Sequence, residues 1–315
     1  MTYDPNWDIF RVVHGSRAYG THREDSDRDE KGVCIPPRSY YTSPFKKFEQ
    51  HETNDPDAVV YEIRKFCKLA RDCNPNIIEV LYAEKKHILH MDSIGEELRE
   101  NASIFLSQKA KFTFTGCAQS QLKRLRTHKR WNETAPTHPG TFNLPINKEQ
   151  IKNIDNFCSI DSGKYPQHED KEHVKAQFGD AKSFSWFHGK TYMLKMANYK
   201  SYQSWEENRN TERAVLEKEF GYDTKHAYHC IRLLRMGMEI LETGEVLVYR
   251  PDWEELLSIK NGAWEYDRIV EEAENLLVKV DKIYDSNESP LPKEPEVSKI
   301  EELCMELIER KWSSV

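Results

Sequence analysis

Apolar positions fall into short runs near the N-terminus and into longer stripes at helical spacing after it. Ile9 to His14 is a short apolar run ending at Gly15-Ser16, a strand or short helix entering a turn. Asp29 to Ile35 carries β-compatible residues and stops at Pro36-Pro37, and Ala58 to Tyr61 is a further short strand. Ile63, Phe66, Leu69 and Ala70 then recur at the spacing of a helix, Asn74-Pro75-Asn76 breaks it, and Ile77 to Leu81 begins another. From Asp92 the pattern is helical. Residues 103–131 form one long candidate, weakened around Thr113 to Thr115, and periodicity dissolves between about 132 and 182 among Pro136, Pro139, Gly140, Pro145 and Gly163. Helices resume near Ser183, with Thr224 to Thr243 the clearest and Gly244 its stop. Helices are also expected over Pro251 to Ile259, Tyr266 to Tyr284 and Val297 to Trp312, the last after a stiff connector at Pro290, Pro292 and Pro295. The expected class is α+β: a small N-terminal mixed sheet with helices over residues 1–90, then a mostly helical region over 91–315 with a long loop at about 132–182.

Composition narrows this further. The 315 residues carry a net charge of −7, yet 7 Trp, 15 Tyr and 13 Phe supply enough buried area for a sizeable core. No apolar run is long enough to span a membrane, and the first residues lack the basic and apolar regions of a signal peptide. The 7 cysteines are scattered, with no C-x-x-C pair, as reduced thiols of a cytoplasmic protein would be.

Charge is uneven along the chain. Asn101 to Asn132 holds no acidic residue but has Lys109, Lys111, Lys123, Arg124, Arg126, Lys129 and Arg130, whereas the C-terminal third is rich in Glu. Lys123, Arg124, Arg126, Lys129 and Arg130 could neutralise the phosphates of a nucleic acid, or the basic helix could cover the acidic third of the same chain. In the helix from Thr224, Ala227, Cys230, Ile231, Leu234, Met238 and Leu241 share one face, and Lys225, His229, Arg232 and Arg235 lie opposite. That cationic face is either solvated or one wall of a cleft that takes a triphosphate.

The most informative chemistry is Gly15-Ser16, ten residues, then Asp27-Arg28-Asp29. Alternation along a strand points Asp27 and Asp29 to one face. Two carboxylates so close repel each other unless a cation lies between them, and an all-oxygen site suits Mg²⁺ or Mn²⁺. A Gly-Ser turn offers backbone N–H groups and a hydroxyl to phosphate oxygens without side-chain bulk. Arg17 follows the turn and could reach the same phosphates, while Lys31 reads as structural or solvent-exposed. Phosphate donors and metal carboxylates in one short unit are what metal-assisted nucleotidyl transfer from an NTP requires. Asn74-Pro75-Asn76 with Glu79 reads as a helix stop and cap, or as a contact with the nucleotide or the metal shell.

The G-S … D-x-D pattern resembles the nucleotidyltransferase superfamily of DNA polymerase beta. The longer strings GSRAYGTHREDSDRDEKGV (15–33), YEIRKFCKLARDCNPNIIEVLY (61–82) and GYDTKHAYHCIRLLRMGMEILETGE (221–245) resemble the RNA-repair-pathway (RlaP-like) nucleotidyltransferases of bacteria and phages. The resemblance implies that residues 1–90 are the nucleotidyltransferase core. It also implies a third metal carboxylate opening the short strand before the Y-E-I-R-K-F helix: Asp57, with Glu62 as the alternative. Gly15, Ser16, Arg17, Lys225, His229 and Arg232 become candidate nucleotide ligands, and an RNA end, such as that of a tRNA, the implied acceptor. Some relatives are apolar where this chain has Arg28 and Glu30, so that strand face is not expected to be deeply buried. Two other functions fit the same residues: transfer of AMP to a protein hydroxyl, as in toxin–antitoxin enzymes, and nucleotide binding without turnover.

Overall fold

The computed structural model describes residues 3–24, 26–138 and 181–313, without the side chains of 181–193 and Glu212. The N-terminal part is a five-stranded mixed sheet of order β3-β4-β2-β1-β5: β1 (Asp8–His14), β2 (Asp29–Cys34), β3 (Gln50–Asn54), β4 (Asp57–Glu62) and β5 (Ile88–Met91). β2 runs parallel to β4, and the other neighbours are antiparallel. The helices here are α1 (Gly15–Tyr19), α2 (Ser39–Thr42), α3 (Ile63–Arg71), α4 (Pro75–Leu81) and α5 (Ser93–Glu100). The remainder is helical: α6 (Lys109–Glu133), α7 (Ala181–Glu207), α8 (Thr211–Phe220), α9 (Thr224–Thr243), α10 (Trp253–Lys260), α11 (Tyr266–Ser286) and α12 (Val297–Ser313). The protein is thus α+β. Two compact units divide the chain: Met1–Arg126 with Leu216–Val315, and Thr127–Val215.

Local sequence accounts for most of these elements. β1 and β4 alternate buried and half-exposed side chains, as a sheet packed on one face requires. α3 turns Ile63, Phe66, Cys67 and Ala70 inward, and the Glu62 side chain caps its first turn. Burying each large apolar side chain is worth about 1.5–3 kcal/mol. Asn74 caps α4, with Pro75 at the first helical position. Asp223 caps α9, and Gly244 ends it at φ 73°.

The C-terminal helix returns to the N-terminal sheet. Lys311 pairs with Asp92 at 2.7 Å, Arg310 with Glu97, and the Trp312 indole N–H donates to the Pro36 carbonyl at 3.2 Å. The sheet unit is therefore built from both ends of the chain.

Some expectations need revision. β3 and β5 carry no apolar pattern that announces a strand, the first because it is polar and the second because it is only four residues long. The long helix starts at Lys109, after a separate 3-10 turn over Ala102–Phe105. The helix runs through Thr113 and Thr115, whose hydroxyls donate to the carbonyls of Cys73 at 2.7 Å and of Lys111, one turn back, at 2.6 Å. Most of the stretch expected as a loop, 139–180, lies outside the described residues. Among the described residues no helix is long and apolar enough to cross a membrane.

Candidate active site

Sheet topology brings the end of β1 and the starts of β2 and β4 to one edge. His14 pairs with Asp29 across the antiparallel ladder, and Asp29 stands opposite Asp57 across the parallel one. Asp27 lies just ahead of β2 and is exposed. Strand alternation therefore does not set its direction, but its charge still acts on Asp29. Burial, then Asp57, pushes the Asp29 carboxyl above its ordinary pKa; Lys225 and Lys31 oppose this, and Asp27 adds to it. Three carboxylates thus share one edge with oxygen donors only, and two of them make Asp29 harder to charge. That donor set fits a Mg²⁺- or Mn²⁺-sized cation.

The two candidates for the third carboxylate stand at opposite ends of β4. Asp57 opens the strand and is exposed. Glu62 closes it, about 17 Å away at the usual rise per residue. Glu62 is buried, accepts from the Tyr41 hydroxyl at 2.7 Å, pairs with Arg64 at 2.9 Å and caps α3. Its lone pairs are thereby committed to the fold.

Gly15 is the first residue of α1, at φ +70°, and a Cβ built there would lie 2.1 Å from Asp29 Oδ2. The phosphate-type turn and the carboxylate are thus in direct contact, and only glycine allows it. Ser16 is half-buried, and its carbonyl accepts from the Thr21 N–H at 2.9 Å. Arg17 turns to the chain ahead of β2, its guanidinium donating to the Ser26 carbonyl at 2.7 Å and the Asp27 carbonyl at 3.4 Å. It holds the segment that bears Asp27.

Lys225, His229 and Arg232 differ in setting. Lys225 is exposed near the start of α9, and its charge bears on Asp29. His229 is packed against Tyr228; burial first, then the charges of Arg232 and Lys225, hold its pKa well below the ordinary value. Arg232 is buried, 4% exposed, so the expected cationic face of α9 is not a uniformly open wall. Its Nη1 donates to Glu79 Oε1 at 2.5 Å, and its guanidinium lies 3.8 Å from the Tyr19 ring centroid.

Glu79, on α4, is the hub of this buried group. It also accepts from the Tyr19 hydroxyl at 2.5 Å and lies 3.0 Å from His14 Nε2. Burial pushes the Glu79 pKa up, but the charge of Arg232 and the His14 hydrogen bond outweigh it and hold the group ionised. His14 is held below its usual pKa by burial and then by Lys31. His14 precedes the Gly15-Ser16 turn and Tyr19 ends α1, so the network grips the turn from both sides and ties it to α9.

Sequence reasoning did not single out His14 or Tyr19, and it undervalued Lys31. That lysine shares a face of β2 with Asp29. Its Nζ donates to Asn76 Oδ1 at 3.0 Å and lies 3.5 Å from His14 Nε2, and burial pushes its pKa down to about 8. The two-residue spacing from Asp29 was the available signal. In the basic segment, Arg126 pairs with Glu274 at 2.5 Å on the acidic C-terminal part, and Lys129 pairs with Glu133 at 2.8 Å; Lys123, Arg124 and Arg130 are exposed.

Residues 8–139 match the sequence model of RlaP, the RNA repair pathway DNA polymerase beta family. No curated protein matches the chain significantly. No solved structure does either.

Proposed function

From the RlaP match over residues 8–139, which points to a nucleotidyltransferase, we propose that this protein moves an NMP from an NTP to a hydroxyl at an RNA end and releases pyrophosphate. The observation that carries the proposal is the pairing of Asp29 with Asp57 beside Asp27, with Gly15 packed on the Asp29 carboxylate. Asp27, Asp29 and Asp57 would hold Mg²⁺ or Mn²⁺. When bound, the cations supply charge neutralisation to the triphosphate and to the attacking oxygen. The Gly15-Ser16 turn binds the β- and γ-phosphates through N–H groups and the Ser16 hydroxyl. Lys225 adds positive charge on the same side. Arg17 keeps Asp27 in place, and the Glu79 network fixes the turn so that little reorganisation is left for the reaction. Arg232, paired with Glu79, acts through that network and not on the nucleotide. Exposed Lys123, Arg124 and Arg130 are available to an RNA backbone.

The test is incubation with Mg²⁺ or Mn²⁺ and each α-labelled NTP, with a tRNA pool beside a protein extract. Label entering RNA, and lost in an Asp27→Asn, Asp29→Asn variant, is the expected result. Label entering only protein identifies an AMP-transferase of the toxin–antitoxin kind. NTP binding with no label in either pool identifies a binding module.

A further inference from the structure

At the far end of β4 from Asp57, a cavity of about 640 Å³ opens between α3 and the segment leading into β3. Its walls carry Lys46, Lys47, Arg64, Lys65 and Lys68 against only two acids, Glu49 and Glu62. Glu62 is already committed to Tyr41 and Arg64, and Lys65 takes Gln50 at 2.6 Å and Glu49 at 3.5 Å. Among the described residues, Lys47 and Lys68 have no anionic partner, and both are exposed. A mouth with a local positive excess on a chain of net charge −7 attracts anions locally.

The same mouth carries aromatic surface. Tyr40, Tyr41 and Phe48 line it. Phe45, between the lining residues Pro44 and Lys46, is 89% exposed and leaves its ring faces open to a base. Arg64 stacks over Tyr41 at 4.1 Å, and Lys46 lies 5.4 Å from the Tyr40 ring centroid. Cations alternating with ring faces suit a chain that offers phosphates and unstacked bases together. An acidic peptide has no base to stack, and a duplex keeps its base faces covered.

We infer that this groove is a binding site for single-stranded RNA, taking phosphates on Lys47 and Lys68 and a base on Phe45. It rests on the reading of RNA as acceptor: the groove would hold the strand behind the end that reacts at Asp29 and Asp57. The separation along β4, about 17 Å, puts the two sites on one subdomain without overlap.

The experiment is fluorescence anisotropy of the full chain with fluorescein-labelled single-stranded oligouridine, without NTP, over a salt series. Binding needs no turnover, so its loss leaves nucleotidyl transfer standing, and absence of transfer leaves the binding result intact. The Lys47→Glu, Lys68→Glu variant is expected to weaken binding at least about tenfold and to flatten the slope of log K against log salt by about 1.4, two contacts at about 0.7 each. Phe45→Ala is expected to weaken binding without changing that slope. All three side chains are exposed, so both variants should melt with the parent, which separates lost contact from lost fold. Unchanged affinity in both variants overturns the inference. So does oligothymidine or polyglutamate binding as tightly as oligouridine, or Phe45→Ala without effect, because each would leave only a generic anion patch.

Discussion

Replacing Glu79 by Gln removes the charge at the hub of the buried network while nearly preserving its shape. Arg232 would then keep its guanidinium in a site where it is 4% exposed, without a counter-ion, and its Nε already has no hydrogen-bond partner among the described residues. Breaking a buried pair from one side costs about 3–5 kcal/mol, much of it the stranded charge. The Tyr19 and His14 bonds to Glu79 would weaken as well, each by about 1 kcal/mol. Loss of stability in that range is expected in urea unfolding, with the midpoint moved and the slope kept. Adding Arg232→Met should recover a large part of the loss, since it removes the stranded charge. The turn is held by the same atoms, so NTP affinity should fall in the single variant and return in part in the double one. A cost below about 1 kcal/mol, or a double variant no better than the single, would mean that Glu79 does not hold Arg232 and the turn in place.

Asp57→Asn should cut transfer roughly a hundredfold or more with little change in melting temperature, as loss of a charge stabiliser at a reaction centre does. Glu62→Gln should do the reverse, costing stability through Tyr41, Arg64 and the α3 cap and sparing the chemical step. Gly15→Ala should destabilise by more than the roughly 1–2 kcal/mol of a left-handed backbone alone, because its Cβ meets Asp29 Oδ2, and it should weaken cation binding measured by calorimetry. Stability should fall as pH drops below 6.5, where His14 and His229 stay neutral when folded but protonate when unfolded. A second loss follows below 4.5: Glu79, depressed in the folded state, contributes stability above its unfolded pKa that fades as pH falls toward the folded one. Thermal melting across that range reads both, and Glu79→Gln should shrink the lower phase to what Asp252 contributes, where burial is outweighed by Arg235 and Arg250, which hold its pKa below the ordinary value.

Sequence carried the parts of this site that are local. Gly15-Ser16 opens α1, Asp29 opens β2 and Asp27 lies two residues ahead of it, so spacing along the chain was enough to group them as candidates. β1, β2, β4 and the α3–α4 break followed from alternation, helical spacing and Asn74-Pro75. What depended on pairing did not follow. Nothing in the residues around 57 says that β4 lies parallel to β2 in the register that sets Asp57 against Asp29; family resemblance supplied that residue. Helical periodicity put Arg232 on a face opposite the apolar one, but α9 is covered on both sides, and Glu79, 153 positions away in the chain, meets the arginine inside. A charge count could not distinguish the basic segment from the groove beside α3 either, because partners such as Glu274 lie far off in sequence.

The most direct measurement uses one NTP labelled in turn at the α- and γ-phosphate, with acceptor RNA and pyrophosphate followed together in parent and Asp29→Asn protein. Nucleotidyl transfer predicts α-label on the acceptor, γ-label only in pyrophosphate, equal amounts of the two products, and loss of both in the variant. Label from the γ-phosphate on the acceptor, or full activity in Asp29→Asn, would contradict the account.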